Sequence, residues 1–128
     1  LARCCGKYAE AVPPEDSPLH RKVADITAYI DVHYAEPLTL TRLSETFYIS
    51  PYYLSRVFKE ITGFSFVDYV NHVRMNEAKR LLRETDWKVL RIAEQVGFDS
   101  IAYFGRMFKE MVHLSPVQYR RMQREMSG

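Results

Sequence analysis

The chain has 128 residues, 47% hydrophobic and 27% charged, with only five glycines and six prolines. That describes one folded domain or two very small subdomains, and excludes disorder and repeat fibres. The formal charge of +2 divides into −2 over residues 1–39 and +4 over residues 40–128, which permits an acidic partner such as nucleic acid without requiring one.

The first residue is Leu rather than Met, so the chain reads as a piece of a longer protein. Arg3, Lys7, Glu10, Glu15 and Asp16 interrupt the amino-terminal stretch, and no secretory signal is expected there. The longest run without Asp, Glu, Lys or Arg is ten residues, 46–55. A membrane-spanning helix needs about 20 apolar residues, so none is expected. Cys4 and Cys5 are adjacent, and His20, His33, His72 and His113 are scattered singly. Neighbouring cysteines cannot staple distant segments, and no further ligands follow at metal spacing. No disulfide framework, metal or cofactor is expected, in keeping with a cytoplasmic protein.

Residues 11–18, AVPPEDSP, hold three prolines and two acids without apolar periodicity, and read as a linker. Val23, Ile26, Ala28, Tyr29, Ile30 and Tyr34 then recur at helical spacing and predict a helix over 19–34, with Pro37 beyond its end. Thr39 is placed to cap a short helix over 40–47. Ser50 followed by Pro51 is an N-cap with proline at the first helical position, opening a helix to 62 that Gly63 stops. Ser65 and Asp68 resemble a capping box at the start of a long helix over 65–84. Further helices are predicted over 89–96, 100–112 and 116–124, the last capped by Ser115. No strand pattern competes, so the fold class is all-α with seven helices.

An internal repeat is the most informative feature. At a shift of 49, Arg42, Leu43 and Glu45 fall on Arg91, Ile92 and Glu94. At a shift of 50, Tyr53, Arg56, Phe58, Lys59 and Glu60 fall on Tyr103, Arg106, Phe108, Lys109 and Glu110, and Ser65, Val67 and Tyr69 on Ser115, Val117 and Tyr119. The change of offset lies between two helices, where a turn tolerates it. Each copy is a short helix, a turn and a second helix of about 12 residues, the proportions of a helix-turn-helix.

Helix-wheel arithmetic separates that reading from plain helical hairpins. In the first copy Leu54, Val57, Phe58 and Ile61 share one face, and Tyr52, Ser55, Arg56 and Lys59 the opposite one. In the second, Phe104, Met107, Phe108 and Met111 face inward, and Ala102, Gly105, Arg106 and Lys109 outward. A solvated face explains one such helix; an Arg and a Lys repeated at matching positions favour a binding surface. The helix between the copies carries Phe66, Tyr69, Val70 and Val73 on one stripe, and Met75, Ala78, Leu81 and Leu82 on another rotated by a third of a turn. Two stripes suit a helix packing on two bodies. Its length of about 30 Å is close to the about 34 Å recurrence of B-DNA major-groove faces.

Over residues 19–124 the sequence resembles the AraC/XylS-type bacterial transcription regulators. The likeness is carried by ISPYYLSRVFKEITGFSFVDYVNHVRMNEAKRLL and by IAEQVGFDSIAYFGRMFKEMVHLSPVQYRR. It implies a DNA-binding domain over 19–125, with two helix-turn-helix units (40–63 and 89–113) in adjacent major-groove segments of double-stranded promoter DNA. It also implies RNA polymerase as a partner, and an effector-binding, dimerising domain on the amino-terminal side, of which residues 1–18 would be the tail and linker.

Carried over by residue, the resemblance places Tyr52, Ser55 and Arg56 of the first recognition helix at base edges, where the planar Arg fork suits guanine. Ile101, Ala102, Gly105 and Arg106 are the equivalents in the second. Three of these four lack a polar reader, which leaves Arg106 and contact with thymine methyls. Lys59 and Lys109 are phosphate contacts, which position without specifying; Arg42 and Arg91 are either phosphate contacts or solvated. Gly105 inside a helix suggests close approach to DNA or to another helix. His113 stands where the first copy has Gly63, so a left-handed turn is not assured there.

Packing roles are expected for Phe47, Phe64, Trp87 and Phe98, an ion pair for Arg74, and solvation for Arg80, Arg83, Arg120, Arg121 and Arg124. A thiol enzyme is the first competing function, but a reactive cysteine needs a base or positive surroundings and no such constellation is readable. No enzyme is therefore expected. A helical module that meets an acidic protein is the second; DNA-sequence dependence of binding separates it from the first reading.

Overall fold

The computed structural model describes residues 17–127. Residues 1–16, with Cys4, Cys5 and most of the expected linker, lie outside them. Among the described residues there are seven helices and no strand: α1 (Pro18–His33), α2 (Leu40–Phe47), α3 (Pro51–Thr62), α4 (Phe66–Glu84), α5 (Val89–Gln95), α6 (Ile101–Val112) and α7 (Pro116–Ser127).

Their ends are set by local chemistry. Ser17 Oγ accepts from the His20 N–H at 3.0 Å, so the last two residues of the expected linker are instead the cap and first residue of α1. The same Ser-Pro device opens α3, where Ser50 accepts from the Tyr53 N–H at 3.2 Å, and α7. At α7 the capping box is complete: Ser115 Oγ accepts from the Gln118 N–H at 3.1 Å, and Gln118 Oε1 accepts from the Ser115 N–H at 3.0 Å. α7 runs three residues past its expected end.

The described chain forms two compact units, with α4 divided between them after Val70. In the first unit α1 contributes Val23, Ile26 and Ile30, α2 contributes Leu43, α3 contributes Leu54, Val57 and Phe58, and α4 contributes Phe66 and Val70, all buried. Phe58 is its centre, meeting Phe66 and Tyr69 edge-on at 6.2 and 5.5 Å. Ala28, counted on the apolar stripe of α1, is exposed, because it lies about 200° round the helix from Ile26. In the second unit Met75, Ala78, Leu81 and Leu82 of α4 are buried with Ile92, Val96, Phe98, Phe104, Phe108 and Tyr119. The two stripes on α4 thus serve separate cores.

Several expectations are corrected. Met111 is 38% exposed: it lies at the last turn of α6, beyond the buried Phe108. Phe64, 42% exposed, is no core residue but keeps the packing role expected of it at the turn, with an edge contact to Tyr69 at 6.4 Å. Arg74 is structural, but among the described residues it makes no salt bridge; it donates to the Tyr34 and Glu36 carbonyls at 2.6 and 2.9 Å. Its guanidinium also lies 5.6 Å from the Phe98 ring. Arg120 donates to the Leu82 and Thr85 carbonyls at 3.1 and 3.2 Å, and Arg124 bonds Asp86 and Thr85. Cations gather there because the carboxyl end of α4 presents unpaired carbonyls and the negative end of the helix dipole. Arg83 donates to the Tyr119 hydroxyl, and Arg80 bridges Glu77 and Glu84. The Arg80 hydrogen bond outweighs burial, which acts in the opposite direction, and holds the Glu77 carboxyl below the ordinary range.

Candidate nucleic-acid interface

In the first unit α2, α3 and the turn between them are fixed at three points. Thr39 Oγ1 accepts from the Arg42 N–H at 3.0 Å and sets the start of α2. Tyr48 takes the left-handed conformation (φ 58°), and the Ile49 N–H returns to the Ser44 carbonyl at 3.0 Å. Ser50 then caps α3. In the second unit Gly97 supplies the left-handed residue (φ 103°), and the Phe98 N–H bonds the Ala93 carbonyl at 2.9 Å. Ser100 caps α6 through the Tyr103 N–H at 3.2 Å. The left-handed residues are 49 apart and the capping serines 50 apart. The extra residue therefore falls between them, in the turn, where the change of offset puts it.

With their inner faces buried, the two helices present the expected outer faces. Tyr52 is 81% exposed, and Ser55, Arg56 and Lys59 are exposed beside it. Ser55, Arg56 and Lys59 also line one hollow together with Glu60. On α6, Ala102, Arg106 and Lys109 are exposed, Ile101 is 45% exposed and Gly105 partly so. Arg42 and Arg91 lie exposed on α2 and α5.

The structure adds positioning residues that sequence reasoning missed. The Arg56 guanidinium is 5.4 Å from the Tyr53 ring, and that of Arg106 is 5.7 Å from Tyr103. Each arginine is thus steadied by a tyrosine one turn earlier. The signal was available, since both Tyr–Arg pairs belong to the repeat. Glu60 stands 4.0 Å from Arg56 on its other side, at the readable spacing of four. Arg91 lies 3.9 Å over the Trp87 ring, so Trp87 orients a candidate phosphate contact as well as packing. His113, at φ 70°, makes the left-handed turn that Gly63 makes at φ 85°, its N–H bonding the Lys109 carbonyl at 2.8 Å.

No group of three His, Cys, Asp or Glu among the described residues is placed to hold a metal ion. None of the described helices is long and apolar enough to cross a membrane.

Two helix pairs, each with a serine-capped second helix and matching outer faces, define a tandem helix-turn-helix protein, and residues 43–122 match the helix-turn-helix domain family. The chain belongs to the AraC-type branch of that family, the DNA-binding domains of transcription regulators. It is 43% identical over 96 residues to the HTH-type transcriptional regulator YijO of Escherichia coli, covering 75% of this chain and 34% of that protein. The carboxyl-terminal domain of AraT, a response regulator from Geobacillus stearothermophilus, superposes with a TM-score of 0.78 at 39% identity. That match covers 83% of this chain and 88% of AraT's. The DNA-binding domain of AdpA, solved in complex with a target DNA, gives 0.79 at 27% identity, over 82% of this chain and 95% of its own. The chain spans about a third of the length of the curated relatives it matches.

Proposed function

We infer that this chain reads promoter DNA with α3 and α6, one in each unit, each in a major-groove segment. The observation that carries this reading is the pair of matching outer faces. At equivalent positions each exposes an arginine backed by a tyrosine and, one turn on, a lysine. Tyr52, Ser55 and Arg56 meet base edges from α3, and Ile101, Ala102, Gly105 and Arg106 from α6. Lys59 and Lys109, with Arg42 and Arg91 on the first helices, bind phosphates.

In the whole protein, residues 17–127 are the DNA-binding domain, and the residues before them join it to an effector-binding, dimerising domain. The protein works in the cytoplasm as a regulator rather than an enzyme, with RNA polymerase as its partner at the promoter. Selection of a bound site from random duplex DNA tests the core of this reading. Enrichment of one motif, lost on joint replacement of Arg56 and Lys59 by alanine, is the expected result. Enrichment of none would overturn it.

A further inference from the structure

Gly97 has two reasons to be glycine: a φ of 103°, and the Ala35 backbone 3.0 Å from where a Cβ would stand. Gly105 has neither. Its φ is not left-handed, and a Cβ added there would meet nothing within 4 Å. Glycine inside a helix is destabilising relative to alanine, and no steric need for the missing Cβ accounts for it. The residues that share its face are Ile101, 45% exposed, and the exposed Ala102. At the equivalent positions α3 has Pro51, Tyr52 and Ser55, two of them with hydroxyls. At these three positions α6 offers no side-chain hydrogen-bonding group; the Tyr103 hydroxyl, on a side chain 42% exposed, lies about 100° round the helix from Ala102, where its ring backs Arg106.

The side chains at these three positions cannot bond the nitrogens and oxygens of a base edge. The one major-groove feature that rewards apolar contact is the C5-methyl group of thymine. Resting on the DNA-binding reading above, we propose that α6 selects thymine through its methyl group. Ile101 and Ala102 pack on thymine methyls, and Gly105 leaves the clearance that lets the α6 backbone approach the base edges. Arg106 meets a base edge beside them, and Lys109, exposed on the same side, holds the helix to the phosphates. The two recognition helices then differ in balance: α3 reads by hydrogen bonds, whereas α6 adds apolar contact to the single polar reader Arg106.

The test uses the 128-residue chain and its selected duplex, with each thymine replaced in turn by deoxyuridine, which deletes the methyl and leaves base pairing intact. The part of the site read by α6 is the part whose preferences survive Arg56→Ala. At least one thymine there should lose about fourfold in affinity, the change expected for one buried methyl. That loss should not vary with salt, because an apolar contact releases no counterions. Gly105→Leu, which keeps a good helix former, should lose about tenfold through the clash it introduces, with no fall in melting temperature. Deoxyuridine replacements that all leave affinity unchanged, or Gly105→Leu binding like the unaltered chain, would overturn the proposal. A chain indifferent to joint loss of Arg56, Lys59 and Lys109 would overturn the DNA-binding reading itself.

Discussion

An arginine that reads a base loses less entropy on binding if its guanidinium is already held. Arg56 is held between the Tyr53 ring and Glu60, with its side chain still 55% exposed. Arg56→Ala should cost about 1–3 kcal/mol of binding and relax base preference in one part of the site, the signature of a lost bidentate contact. Lys59→Ala and Lys109→Ala should weaken binding to all sequences alike. Repeating the site selection with each variant checks both; an altered motif with Lys59→Ala and an unaltered one with Arg56→Ala would reverse the assignment. Arg91 gives a second test, since its guanidinium is 3.9 Å from the Trp87 ring. If Trp87 orients a phosphate contact, Trp87→Leu and Arg91→Ala should be coupled in a double-mutant cycle of DNA affinity, by about 0.5–1 kcal/mol. Fully additive effects would make Trp87 a packing residue only.

At the scale of the element, the turns decide how each recognition helix is aimed, and their left-handed residues are not equally suited to it. Gly97 is confined by the Ala35 backbone and by the Arg74 guanidinium, 3.1 Å from an added Cβ. Gly97→Ala should destabilise the second unit by about 1–3 kcal/mol, through a strained φ and a backbone clash. His113 occupies a left-handed position with a Cβ, which is unfavourable by about 1–2 kcal/mol. His113→Gly should therefore stabilise, by about 0.5–1 kcal/mol once the looser unfolded chain is counted. Thermal melts should move in opposite directions for the two variants, and a shared direction would contradict this account of the turns.

For the whole molecule, phosphate contact makes binding depend on salt. Contact with about 5 phosphates gives a log–log slope near −4, because each neutralised phosphate releases condensed counterions. Affinity that does not change between low and moderate salt would exclude this mechanism. A palindromic site mirrors a two-fold dimer, whereas here two unequal units follow one another in a single chain. The chain by itself should bind as a monomer to a non-palindromic site of two dissimilar parts. Sedimentation with a labelled duplex should show one protein per site, and two copies on a palindrome would contradict the reading.

The seven helices, the caps at Thr39, Ser50, Ser65 and Ser115 and the repeat were legible in the sequence, because each rests on short-range chemistry. Capping involves neighbours three residues apart, and an amphipathic face follows from the 3.6-residue period. The outer faces of α3 and α6 were legible for the same reason, including the exposure of Tyr52, Arg56, Lys59, Arg106 and Lys109. What sequence by itself could not determine was the use made of the other cations. Arg74 and Arg120 looked like a salt-bridge partner and a surface charge, yet both bind backbone carbonyls 35–40 positions away in the chain. Every residue carries a carbonyl, so no side-chain pattern marks which will be left unpaired. Only the tertiary fold, by bringing the end of α4 against α7 and Arg74 against residues 34–36, removes those arginines from the charge offered to DNA.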